Sequence, residues 1–261
     1  MVLKRFFGRS ATAESKVFRA PAGQRLYAIG DIHGRLDLLE ELIALIEADN
    51  EARDVAETRI IFLGDLVDRG PDSRGVVERL MQLVSSSDHV TCLKGNHEEL
   101  LIRSWEGDRK TAAVFNRNGG RETMLSYGVS PDEYDSGDLG ELVDLVGSHV
   151  PPNHIAFLEG LPEWVQAGDY VFVHAGIRPG VPLDEQKAAD LRWIRGEFTE
   201  HRGDHGMMVI HGHTITEFAD EQVNRIGIDT GAYATGRLTA IGLEGVARWF
   251  ISTGAALTTP A

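Results

Sequence analysis

Six side chains able to hold divalent cations follow directly on five short, apolar, strand-like runs. Residues 25–29 lead into Gly30-Asp31-Ile32-His33-Gly34, and residues 59–63 into Gly64-Asp65-Leu66-Val67-Asp68-Arg69-Gly70. Residues 90–93 lead into Gly95-Asn96-His97-Glu98, residues 170–173 into His174-Ala175-Gly176, and residues 207–210 into His211-Gly212-His213-Thr214. Ligands of open α/β sheets gather in the crevice outside the carboxyl ends of the strands. Asp31, His33, Asp65, Asn96, His174 and His213 are therefore offered to one place. They are oxygen and nitrogen donors without sulfur, which suit Mn²⁺, Fe or Zn²⁺ better than a thiolate site would. Six protein ligands exceed what one catalytic ion takes if a position is to stay open. Two ions sharing a carboxylate would use them all, and ions about 3.5–4 Å apart can clamp the attacking and leaving oxygens of an in-line phosphoryl displacement.

The elements that must position these residues are legible as hydrophobic periodicity. After the run 25–29, Leu38, Leu42 and Leu45 mark one helical face, widened by Leu39, Ile43 and Ile46. A second helix covers 75–84, so the N-terminal third reads strand, helix, strand, helix, strand, the α/β pattern. From Glu98 to Gly168 the chain reads as mostly helical, with helices near 98–106, 111–126, 138–149 and 153–159 and turns at Ser130-Pro131 and Pro151-Pro152. Strands return at 170–173, 207–210, 225–228, 238–243 and 247–251. The expected fold is α/β (α+β): two mixed sheets packed face to face, helices outside, and a dimetal site at the strand C-termini. The expected organisation is a loose arm over 1–20, one domain over 21–252 with a helical insertion at about 98–168, and a tail over 253–261.

Composition narrows the partners. The 261 residues carry 40 Asp and Glu against 26 Lys and Arg, a formal net charge of −14. That excludes a general nucleic-acid binder, which needs a basic face, and docking on anionic lipid through a polybasic segment. A phosphate-bearing substrate stays open, because a few arginines or bound metal supply positive charge locally. The single cysteine, Cys92, leaves no intramolecular disulfide and no multi-cysteine metal site, so a reducing, cytoplasmic setting is expected. No apolar run approaches the ~18 residues of a membrane span, and the first residues lack the apolar core of a signal peptide.

The motifs GDIHG, GDLVDRG, GNHE, HAG and HGHT, in this order between residues 30 and 214, resemble the phosphoprotein phosphatase family of calcineurin-like metallophosphoesterases. The pattern is most similar to the bacterial and phage-lambda type of serine/threonine protein phosphatase. The resemblance implies two divalent ions, Mn²⁺ first among them with Fe or Zn²⁺ as alternatives. Asp31, His33 and Asp65 would hold one ion; Asp65, Asn96, His174 and His213 would hold the other. It implies a general acid at His97, oriented by Asp68, and phosphate-binding roles for Arg69, Asn96 and, in the Trp193-Ile194-Arg195 setting, Arg195. Hydroxide bridging two dications stays nucleophilic near neutral pH and would attack phosphorus directly. A histidine held by a carboxylate could protonate the departing oxygen.

The implied substrate is a phosphorylated protein. The alternative is a small phosphoester, including symmetrical cleavage of a bis(5′-nucleosyl) tetraphosphate. Related tetraphosphatases carry Ala in place of Asp68 and GNHD in place of GNHE, and both differences favour the protein-phosphatase reading. A remote alternative is an inactive phosphate-binding module, whose sign would be degenerate ligands; none are degenerate here. Specificity is expected in the helical insertion and in the loop 177–206. His211 is read as structural, His89, His149, His154, His201 and His205 as surface residues, Cys92 as buried, and Asp229 and Thr230 as neighbours of the site.

Overall fold

A computed structural model describes residues 16–254. The first half alternates strand and helix: β1 (Gln24–Ile29), α1 (Leu36–Glu51), β2 (Glu57–Phe62), α2 (Ser73–Ser86) and β3 (Val90–Cys92). A helical stretch follows, with α3 (Asn96–Trp105), α4 (Arg109–Phe115), α5 (Arg121–Ser126), α6 (Pro131–Ser136), α7 (Leu139–His149) and α8 (Pro152–Glu159). Then come β4 (Trp164–Ala167), β5 (Tyr170–Val173), α9 (Ala188–Trp193), α10 (Gly196–Thr199), β6 (Met208–His211), β7 (Asp220–Glu221), β8 (Arg225–Gly227), α11 (Ala232–Thr235), β9 (Thr239–Glu244) and β10 (Ala247–Ser252).

The strands form two five-stranded mixed sheets, in the orders β10-β9-β1-β2-β3 and β4-β5-β6-β8-β7. β1, β2 and β3 run parallel, as do β5, β6 and β8, so each sheet presents a row of carboxyl ends. The two-residue alternation of β1 shows why the sheets stack. Leu26 and Ala28 face the second sheet, packing in one cluster with Ile61, Phe172, Ile210 and Ile241. Tyr27 and Ile29 face the other way, onto Leu39, Leu42 and Ile46 of α1. On the far side of the second sheet, Val173 and Val209 are covered by Leu191 and Phe198 of α9 and α10. Among the described residues no helix is long and apolar enough to cross a membrane.

Several boundaries differ from the sequence reading. The helix expected over 111–126 is interrupted by a π-turn at Asn116–Gly120, where Gly119 takes φ +104°. β4 lies inside the stretch expected to be helical, paired antiparallel with β5 across the short turn at Gly168-Asp169. The loop 177–206 contains α9 and α10. Residues 16–20 of the expected loose arm are packed: Phe18 is buried against Tyr170, and the Ala20 amide donates to the Gly245 carbonyl at 2.8 Å. Residues 1–15 of that arm and 255–261 of the tail lie outside the described residues, whereas Thr253, the first of the tail, is buried and donates its amide to the Leu238 carbonyl. His154 is not a surface residue: it is 4% exposed, its Nδ1 2.9 Å from the Tyr127 hydroxyl. The pairing spans α5 and α8, so no local motif announces it.

Candidate active site

Every residue assigned to the site from the sequence lies at the rim formed by the two rows of carboxyl ends. Asp31, His33, Asp65, Asp68, Asn96, His97, His174 and His213 are all buried, Arg69 is partly buried and Arg195 is exposed. The backbone there is unusual. Among the described residues five non-glycine residues have positive φ, namely His33, Asp65, Asp68, Arg69 and His213, and all five belong to this set. Left-handed backbone is costly for such side chains and persists where the surroundings over-determine it.

Buried Glu98 shows how the surroundings do so. As the third residue of α3 its carboxylate accepts the amide of Gly95 at 2.8 Å, that of Asp65 at 2.9 Å and that of Leu66 at 2.8 Å. The β2 loop is thereby fastened to the start of α3. Burial, reinforced by the charge of Asp65, pushes the Glu98 carboxyl up to about 7.

Two three-donor groups share Asp65. His33, Asp65 and His97 form one, and Asp65, His174 and His213 the other, the donor atoms of each lying within 4.8 Å of one another. In both groups the tautomers face lone pairs inward. His33 Nδ1 is 2.8 Å from the Val67 carbonyl and His174 Nδ1 2.9 Å from that of Leu63. A carbonyl only accepts, so those nitrogens carry the proton and each Nε2 is a bare lone pair. His174 Nε2 then lies 3.0 Å from Asn96 Oδ1 and 3.4 Å from Asp65 Oδ1, acceptors facing an acceptor, and 3.2 Å from His213 Nδ1. His213 Nε2 is buried without a partner. Burial lowers the pKa of His33 and His174 and takes that of His213 to about 2, so all three are neutral imidazoles, the ligating form.

Asp31 stands outside both three-donor groups. Its carboxylate accepts the His213 amide, and burial together with Asp229 and Asp65 raises its pKa well above the usual carboxylate range. Burial likewise lifts Asp229 to about 6. Crowded carboxylates, neutral imidazoles and the partnerless His213 Nε2 are what divalent cations would relieve, so this donor set fits two such ions.

Around this centre sit Arg69, His97 and Arg195. Arg69 Nη1 donates to His33 Nε2 at 2.9 Å and Nη2 lies 3.1 Å from His97 Nε2, while its guanidinium lies 4.8 Å from the centre of the Tyr233 ring. His97 Nδ1 donates to Asp68 Oδ2 at 2.6 Å. Burial opposes charge on His97, but the Asp65 carboxylate and the bond to Asp68 outweigh it and raise its pKa. Arg195, between α9 and α10, donates to the His213 carbonyl at 3.4 Å and stays open to solvent. His211 is buried behind the site with its ring edge on Phe198, in keeping with a structural role. Glu98, Tyr233 and Thr123 were not singled out from the sequence. Only Glu98 had a local signal, the three-residue spacing by which a glutamate reaches back to the amide before its helix, here that of Gly95.

The chain is similar to proteins already known. The asymmetrical bis(5′-nucleosyl)-tetraphosphatase PrpE of Anoxybacillus flavithermus is 25% identical over 236 residues, which cover 82% of this chain and 88% of that one. A symmetrical bis(5′-nucleosyl)-tetraphosphatase of an Acidovorax species is 32% identical over 163 residues, covering 62% of this chain and 48% of the relative. In fold, the crystal structure of a candidate diadenosine tetraphosphatase superposes with a TM-score of 0.62 at 23% identity, over 92% of this chain and 98% of the other. The two sequence relatives are named for dinucleotide tetraphosphates, so the protein-phosphatase branch expected from the motifs is not the one they represent. A profile described as calcineurin-like phosphoesterase matches residues 24–234, and with the shared Asp65 and its two donor groups in place the chain belongs to the calcineurin-like phosphoesterase family.

Proposed function

We propose that this phosphoesterase hydrolyses dinucleoside polyphosphates, using two divalent cations held by Asp31, His33, Asp65, Asn96, His174 and His213. The observation that carries the hydrolytic reading is the pair of buried three-donor groups joined through Asp65. The names of its relatives support the substrate class. When bound, the cations would supply charge to the phosphate and activate water at neutral pH.

The chain's own residues do the rest. Arg69 offers a planar fork of donors to the phosphate oxygens, its guanidinium lying over the Tyr233 ring. Arg195 offers a second guanidinium from the open side, where a long polyphosphate can reach it. As water oxygen bonds to phosphorus and the opposite P–O bond breaks, His97 Nε2 faces the departing oxygen and can deliver a proton where the leaving group needs one. Its other nitrogen stays anchored on Asp68.

The His97–Asp68 bond also supports a second reading, a phosphoserine or phosphothreonine monoester. A nucleotide phosphate departs readily without a proton, whereas an alkoxide needs one. The deciding experiment compares diadenosine tetraphosphate with phosphoserine, phosphothreonine and phosphotyrosine peptides, with Mn²⁺ and with Asp65→Asn as control. Preference for the dinucleotide by at least tenfold in kcat/KM is expected. Higher kcat/KM on the phosphopeptides overturns the substrate, and turnover unchanged by Asp65→Asn overturns the site.

A further inference from the structure

We propose that Thr123, on α5 of the helical insertion, is a positioning residue for the proton transfer, acting through Asp68 on His97. The inference rests on the phosphoester-hydrolase reading and on no particular substrate.

The hydroxyl protons around Asp68 admit a single assignment, while the Asp68 amide is shared between Thr123 Oγ1 and Ser73 Oγ, the latter at 3.0 Å. Thr123 Oγ1 lies 2.6 Å from Asp68 Oδ1, 2.9 Å from the Asp68 amide and 2.9 Å from Ser73 Oγ. All three residues are fully buried. A carboxylate can only accept, so the one hydroxyl proton of Thr123 goes to Oδ1. Its two lone pairs then take the Asp68 amide and the Ser73 hydroxyl, and the threonine is saturated. With Oδ1 held in this way, Oδ2 is left for His97 Nδ1 at 2.6 Å, which fixes the proton on Nδ1 and turns Nε2 toward the reacting groups.

The same insertion grips the next residue. The Arg69 amide donates at 3.0 Å to the carbonyl of Gly119 in the π-turn, and a Cβ on Gly119 would stand 2.6 Å from that amide nitrogen. Two consecutive left-handed residues, Asp68 and Arg69, are thus held by two points 50 or more positions further on. The insertion, expected from the sequence to govern specificity, here completes the acid.

The test uses Thr123→Val and Thr123→Ser on a series of aryl and alkyl phosphates of rising leaving-group pKa, with Mn²⁺. General acids contribute about 10²–10⁴ in rate. Thr123→Val should therefore lower kcat about tenfold or more for alkyl phosphates and little for p-nitrophenyl phosphate, with KM unchanged, while Thr123→Ser stays near the parent. In the metal-free protein, the downfield His97 Nδ1 proton should be seen by NMR in parent and Thr123→Ser and be shifted in Thr123→Val. Equal loss across leaving groups, a Ser variant as impaired as the Val variant, or an unmoved His97 resonance overturns the proposal. If Thr123→Val does not fold, Thr123→Ala removes the same hydroxyl without the second branched methyl and should move both readouts the same way. A parent inactive on every phosphate ester defeats the hydrolase reading instead, and the NMR arm still decides the role of Thr123.

Discussion

The carboxylate of Asp31 accepts the backbone amide of His213 with both oxygens, at 3.2 and 3.0 Å. Asp31 follows β1 of one sheet and His213 follows β6 of the other, so this contact closes the rim where the sheets meet. It depends on Gly212, where a Cβ would overlap Asp31 Oδ1. Gly212→Ala should push the carboxylate aside and weaken Mn²⁺ binding about 10–100-fold, the usual cost of disturbing a ligand's support. Calorimetric titration with Mn²⁺ checks this, and unchanged affinity would show that Asp31 is not a ligand held by this contact.

Asp65 belongs to both donor groups, so its loss should affect both ions at once. A ligand at about 100 times its Kd stabilises the native state by about 2.7 kcal/mol. For a domain of this size that corresponds to a rise in Tm of about 5–10 °C. Mn²⁺ should raise the Tm of the parent by this much and that of Asp65→Asn hardly at all, and a chelator should reverse the rise. A similar Mn²⁺ shift in both proteins refutes the shared-ligand assignment.

The two arginines should separate kinetically. Arg69 lies over the Tyr233 ring beside His33 and His97, the arrangement of a donor aimed at developing charge. Removing one such donor costs about 10²–10³ in kcat, and Arg69→Ala should show it. Arg195 is exposed and makes one long bond, so Arg195→Ala should raise KM about tenfold, with kcat and metal content near the parent's. Equal effects of the two substitutions on kcat would remove this division.

What the sequence disclosed was what is local in the chain. An Asp, Asn or His within a few residues of the end of an apolar run, with glycine close by, is a local pattern, and all six proposed ligands follow it. β4 was hidden because Trp164–Ala167 is four residues long and includes an exposed Gln166; its strand character comes from pairing with β5. The break at Asn116–Gly120 had a visible signal in the Gly119-Gly120 pair, which helical periodicity on either side outweighed. Thr123 had none, because a threonine on a short helix gains its meaning only from a carboxylate 55 positions earlier. Supports of this kind are set by tertiary contact, so they appear only once the chain is folded.

Stability at the opposite end of the first sheet should be pH-dependent through Asp49. Its Oδ2 accepts the Tyr27 hydroxyl at 2.6 Å and the Trp249 indole at 3.0 Å, and Arg53 donates to both of its oxygens at 2.9 Å, joining α1 to β1 and β10. Burial alone would raise its pKa, but the bonds from Arg53 and Tyr27 outweigh it and hold it below the usual carboxylate value. A lowered folded-state pKa means stability that is present above the unfolded pKa near 3.9 and lost as pH falls through the folded one. Asp49→Asn should therefore destabilise by about 1–3 kcal/mol at pH 7, the range for charge-assisted hydrogen bonds. The gap should narrow as pH falls below about 4, where the unfolded chain's carboxylate takes up a proton before the folded one does. Urea midpoints of both proteins at pH 7 and pH 3 measure it. A gap of constant size at both values would mean that Asp49 acts through packing and not through its charge.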